Sequence, residues 1–243
     1  MKKSILALSI LGVTFFSVGC DQLQQVGTEV LNTATSSGGG LTTSEIASGL
    51  KEALKKGSGN AVSTLSKPGG YLNNQLIKIP FPPEAKFAAD KLRQIGMGNT
   101  VDNFVGSLNT AAEGAATQAK PIFWDAIKTM SFADAMGILK GGDNAATNYF
   151  KSKTTAQLVS AFAPKINEAL GKNNTTKHWS DLTSAYNAIP LTNQKVETDL
   201  SAYATNKALD GLFTTLAGEE KLIRDNPAAR TSEILKKVFG SVD

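Results

Sequence analysis

The amino-acid sequence predicts an all-α fold, a single irregular domain of about nine helices, and three observations carry that reading. Beyond residue 41, apolar residues recur at helical spacing over most of the chain. Ser, Thr or Asp precede these runs and Gly or Pro follow them, the residue types that cap and stop helices. Aromatic residues make up only 7% of the chain while Ala, Gly, Thr and Asn abound, so the core relies on helices that approach closely rather than on bulky side chains.

The N-terminal segment stands apart from that domain. In "MKKSILALSILGVTFFSVGCDQ", Lys2 and Lys3 precede an apolar run too short to span a bilayer comfortably, and small residues close it before Cys20. This is the pattern of an export signal over residues 1–19. Ser17-Val18-Gly19-Cys20 resembles the cleavage site of a bacterial lipoprotein, with Ser17 where Leu is usual. Cys20 is the only cysteine, which rules out a disulfide within the chain and argues against a thiol metal cluster. The resemblance implies that Cys20 is acylated and anchors the protein to a membrane of the cell envelope, facing the periplasm. Asp21 hints at the inner membrane by the same resemblance. Residues 20–41 then read as a flexible tether ending in "TSSGGGL", spanning on the order of 25 Å r.m.s..

The helical domain is expected over residues 42–243. Thr42 and Glu45 form a capping box, followed by an apolar face of Ile46, Leu50, Ala53 and Leu54 that Gly57 and Gly59 weaken or kink. Lys67-Pro68-Gly69-Gly70 breaks the chain. One short extended segment is expected near residues 75–81, because Ile77 and Ile79 alternate with Lys78 and three prolines block a helix. Pro83 suits the first turn of a helix ending near Ile95. A long helical stretch over residues 100–130 is kinked or split by Pro121. Ser131 with Asp134 caps a short helix that Gly141 ends in a left-handed conformation. Asp143 then caps a helix over residues 145–151, its carboxylate accepting from amides near Ala145 and Ala146. Thr154 with Gln157 caps another, with Leu158, Val159, Phe162 and Ile166 inward and a bend near Pro164. Helices over residues 176–188 and 196–224 follow, and Asn226-Pro227 separates a terminal helix introduced by Thr231.

Several stretches together are similar to one bacterial family, known as domain of unknown function 4197. They are "GLKEALKKGSGNAV", "IKIPFPPE", "SLNTAAEGA", "AKPIFWDAIKTMSFADAMGILKGGDNAATNYF" and "LDGLFTTLAGEEKLIRDNPAARTSEILKKVFG". The resemblance implies an exported, often lipid-anchored helical protein and implies no activity.

Charge and motifs narrow the function. The net charge is +4, and Lys2 and Lys3 supply half of it, so nothing argues for nucleic acid. Lys51, Lys55 and Lys56 read as a solvated helix face. His178, the only histidine, falls beside Trp179 at an expected helix start, where a surface or cap-proximal role suits it better than a catalytic triad. There is no cofactor motif, and a lone histidine and cysteine make a zinc site improbable. Polar residues on apolar faces are the candidates for a site. Asn109 and Glu113 share one face, and Glu220, Arg224 and Arg230 are spaced to form a charged knot, either a docking network or an anion pocket. Glu113, Asp125 and Asp134 are the carboxylates available to a hydrolase. Two functions follow as expectations: a tethered binding module for a small amphipathic ligand or an envelope protein, or a carboxylate-dependent hydrolase acting on an envelope polymer.

Overall fold

The computed structural model describes residues 41–172, 175–187, 199–230 and 232–240. The expected signal segment, Cys20, the tether up to residue 40, the cap at Thr231 and the first residues of the penultimate long helix lie outside them. The described helices belong to one compact unit, Thr43–Asp243. They are α1 (Thr43–Leu65), α2 (Lys86–Gln94), α3 (Gly98–Ala116), α4 (Ala119–Lys128), α5 (Phe132–Lys140), α6 (Ala145–Gly171), α7 (Thr175–Asn187), α8 (Leu200–Asp225) and α9 (Glu233–Gly240). Short 3-10 turns precede α2 at Pro83–Ala85 and follow α8 at Pro227–Ala229. No strand occurs among the described residues, and none of their helices is long and apolar enough to cross a membrane.

The all-α expectation holds, and the boundaries show where local chemistry decided them. α1 starts directly after Thr42 and runs unbroken through Gly57 and Gly59, because its far half is packed: Ala61, Val62 and Leu65 are buried. Pro121 splits the long helix as expected, but four residues ahead of itself. Its ring displaces the carbonyl one turn back, that of Thr117, and it offers no N–H to it, so α3 ends at Ala116 and α4 starts at Ala119. Ser131 and Asp134 form the reciprocal capping box: Ser131 Oγ accepts from the Asp134 amide at 3.1 Å, and Asp134 Oδ2 accepts from the Ser131 amide at 3.1 Å.

Four expectations fail along α6 and the corner before it. Residues 145–151 do not form a separate helix; α6 continues to Gly171. Thr154 is no cap but a buried interior residue whose hydroxyl donates to the Phe150 carbonyl at 2.6 Å. Val159, expected inward, is exposed, because Leu158, Phe162 and Ile166 already fill the one face that packs. Gly141 is not left-handed; its φ is −71°. It is needed for space instead, since a Cβ there would lie 2.6 Å from the Cβ of Ala145. The left-handed residue of that corner is Asn144, φ 66°.

At the centre, α8 packs against both α6 and α1, α3 packs on α6, and α4 on α1 and α6. The Phe123 ring lies tilted against Phe150, centres 4.7 Å apart, and 6.4 Å from Phe213, joining α4, α6 and α8. A second aromatic group, Phe81, Phe104 and Trp179, fixes α7 and the end of the 66–82 loop to α3. That loop turns at Gly69, φ +83°, and a side chain at Gly70 would strike the Leu65 carbonyl. Residues 75–77 of the expected extended segment lie in a turn closed by the Ile77 and Lys78 amides on the Asn74 carbonyl, and residues 78–80 are irregular.

Candidate functional site

The polar residues singled out from the sequence fall into two buried clusters. In the first, one face of α3 holds the 66–82 loop. Asn109 is fully buried, and its amide pairs with the backbone of Ile79 in both directions: Oδ1 accepts from the Ile79 amide at 2.8 Å, and Nδ2 donates to the Ile79 carbonyl at 2.8 Å. Nδ2 also donates to Val105 one turn back. Asn109 thus supplies the loop with the pairing that a strand neighbour would give. One turn on, Glu113 Oε1 accepts from the amides of Tyr71 at 3.2 Å and Leu72 at 3.3 Å. Tyr71 is buried and donates its hydroxyl to the Ala208 carbonyl of α8 at 2.8 Å. Burial, and then the Glu113 charge, push the Tyr71 phenol well above the ordinary tyrosine value. From the other side, the Tyr203 hydroxyl donates to the Pro80 carbonyl at 3.2 Å.

The second cluster sits at the start of α6. Glu220 reaches across from α8: Oε1 accepts from the Ala146 amide at 3.0 Å, and Oε2 accepts from the Thr147 amide and the Thr147 hydroxyl, each at 2.9 Å. Arg224 completes the carboxylate, donating Nε at 3.0 Å and Nη2 at 2.9 Å to Oε1, and its Nη2 also donates to the Ile138 carbonyl of α5 at 2.8 Å. Arg230 donates to the carbonyls of Ile223 at 3.1 Å and Arg224 at 2.6 Å, satisfying the last turn of α8, and covers the Phe239 ring of α9.

This arrangement corrects the expected role of Asp143. The capping position of α6 belongs to Asn144, whose left-handed backbone directs no side-chain bond to the helix, and Asp143 is exposed. A capping side chain needs an extended backbone to reach the amides two and three residues ahead. With that geometry lost, the amides are met by Glu220 instead. A negative group at a helix start is favourable on both hydrogen-bonding and dipole grounds. With five donors on its two oxygens, Glu220 leaves the α6 start closed to an external anion.

Glu220 and Arg224 also form the polar end of the apolar cavity. It is lined by Leu50, Ala53, Gly57, Phe150 and Leu216 and has a volume of about 30 Å³, room for a water molecule and no more. The carboxylates considered for hydrolysis are engaged or apart: Glu113 holds two amides, Asp134 serves the Ser131 cap, which lowers its pKa through the bonds Ser131 donates, and Asp125 is exposed. Among the described residues, no group of His, Cys, Asp and Glu is placed to hold a metal ion. The side chain of His178 lies outside the description.

Sequence reading missed Tyr71, Thr147 and Tyr203. Tyr71 follows the Gly69-Gly70 turn directly, and an aromatic side chain after such a turn, in a chain so poor in them, was the available signal. Thr147 gave none, since its role is set by a residue on a distant helix.

The fold defines a class: an all-helical body whose buried polar residues hold its own backbone. The chain belongs to the family described as "Protein of unknown function (DUF4197)", whose model matches residues 40–240. Comparison with curated proteins and with solved structures finds no match.

Proposed function

We propose that the protein is a membrane-tethered envelope lipoprotein whose helical body is a non-catalytic binding module for another envelope protein. The observation that carries this is the concentration of exposed apolar side chains between residues 76 and 97: Leu76 is 86% exposed, Ile95 70% and Phe87 69%, and Met97 is exposed to 43%. They stand on and beside α2, in which Ala89 alone is buried among the described side chains, with Ala85 buried in the turn before it. Apolar groups gathered on an outer helix mark an interaction site more often than chance exposure does.

The interior supports a surface rather than a pocket. The apolar cavity of about 30 Å³ is far below what a drug-sized or lipid-chain ligand fills, and two larger hollows, about 220 Å³ beside Asp143 and Lys221 and about 440 Å³ at Gln157 and Ser160, are open to solvent and lined by few apolar side chains. The polar clusters expected to grip a ligand satisfy the protein's own amides and carbonyls, and among the three carboxylates considered for hydrolysis Glu113 and Asp134 are committed while Asp125 is exposed.

The test is site-specific photo-crosslinking in the intact envelope. A crosslinker at position 76 or 87 should trap one adduct of the same mass, and one at Gln157, on the outer face of α6, should not. Diffuse or absent adducts at both test positions would sink the reading.

A further inference from the structure

A second surface lies on α1 and α4, remote in sequence from the α2 stretch. On α4, Lys120, Trp124 and Lys128 follow one another four residues apart and form one stripe. On α1, Lys51 and Lys55 are likewise one turn apart. The two helices pack together, and two contacts bring the stripes into line. Lys51 Nζ donates to the Lys128 carbonyl at 3.5 Å, and Lys55 Nζ stands 6.0 Å from the centre of the Trp124 ring. Lys120 Nζ approaches that ring from its own helix at 4.9 Å. Trp124 is 43% exposed, whereas Trp179 is buried. Among the described residues none of these four lysines forms an ion pair, although shorter lysine–carboxylate pairs are common elsewhere on the surface. The nearest acids on the same helices, Glu52 and Asp125, are exposed and border the stripe, about 100° around the helix from Lys51 and Trp124 and about 60° from Lys55 and Lys128.

We propose that this face docks on an anionic phospholipid surface. The composition separates lipid from protein as the occupant. Protein interfaces are enriched in Trp but depleted in Lys. Lysine is a hydrated point charge on a flexible stem, suited to fluid phosphates that offer no fixed geometry. An indole half in water, flanked by cations, matches the headgroup layer, where tryptophan concentrates. Connectivity agrees: Lys51 lies in the first half of α1 and Lys55 at its middle, on the helix that follows the expected tether of residues 20–41. The docking face would turn the body on its tether and hold it in one orientation. This goes beyond the partner-binding reading and stands or falls apart from it.

The test uses the unacylated unit Thr43–Asp243, whose core is its own. It is sedimented with vesicles of phosphatidylcholine alone or mixed with phosphatidylglycerol. Binding is expected only to the mixed vesicles, with a blue shift of tryptophan emission from Trp124, and is expected to collapse at high salt. Each lysine near such a surface is worth about fivefold in affinity. Lys55→Gln with Lys120→Gln should therefore lower partitioning more than tenfold, with circular dichroism and the unfolding midpoint unchanged. A Leu76→Asp, Phe87→Asp variant should bind the vesicles as before. Equal association with both vesicle types, none with either, an unaffected lysine variant, or loss in the α2 variant overturns the proposal.

Discussion

Glu220 and Asp143 offer a direct comparison at the residue scale, because both are acidic and both lie near the start of α6. Only Glu220 has its oxygens on the amides, and it is buried with its Arg224 partner at 2.9 Å. Removing one member of a buried pair leaves the other uncompensated and costs about 3–5 kcal/mol. Glu220→Ala should lower stability in urea by that order, whereas Asp143→Ala should stay within about 0.5 kcal/mol of the unaltered protein. Equal losses in the two variants would return the cap to Asp143. The aspartate-glycine corner drew attention to itself in the sequence because its residues are those of a local cap. The residue that does the capping is separated from it by two whole helices and most of a third, and no local pattern announces that.

The 66–82 loop is the element on which the buried polar residues converge. Asn109 and Glu113 hold it from α3, Tyr203 holds it from α8, and its own Tyr71 reaches back to α8. Gly211 lets Tyr71 in, since a side chain there would lie 2.7 Å from the tyrosine ring. Burial, followed by a nearby carboxylate in each case, raises both phenols, that of Tyr203 to about 12. In the unfolded chain they ionise near 10, so above that pH the unfolded state loses protons that the folded state keeps. Stability should therefore be full below about pH 10 and fall between there and about pH 12. Denaturation midpoints measured across that range should show the decline. The Tyr71→Phe, Tyr203→Phe variant should start lower, by about 1 kcal/mol for each lost bond, and decline less. A decline of the same steepness in the variant would remove these two phenols as its cause.

The elements themselves were largely legible, because capping residues, prolines and apolar spacing are local signals: the Ser131 box, the Pro121 split and the Asn226-Pro227 break all stand where those residues put them or within a turn of it. Continuity was harder to read. α6 runs through Thr154 and Pro164 because packing on α3 and α8 favours one long helix over the breaks that its residues allow. That Asn109, Glu113, Glu220 and Arg224 were polar residues worth attention was visible from their spacing on helices with apolar faces. That they form two clamps rather than one pocket was not, since each clamp closes on backbone far away in the chain.

For the whole molecule, the expected lipid anchor remains the firmest way to place the protein in the cell. Cys20→Ala should abolish incorporation of labelled lipid; full labelling of the variant would remove the anchor, and with it the tether argument. The body on that tether would then have to find any membrane by its lysine face alone.

The reach of Glu220 from α8 to α6 has a consequence for how the protein comes into being. As the chain is synthesised, α6 is complete long before α8 exists. Until residue 220 arrives, the Ala146 and Thr147 amides of α6 have no partner but water, so its opening turn frays. The middle of the protein is thus finished by its end, and an interrupted copy cannot pass for a whole one. A chain stopped after residue 210 should be cut near residue 145 by a protease that leaves the full chain intact there. Resistance at that site in the shortened chain would show that α6 closes by itself.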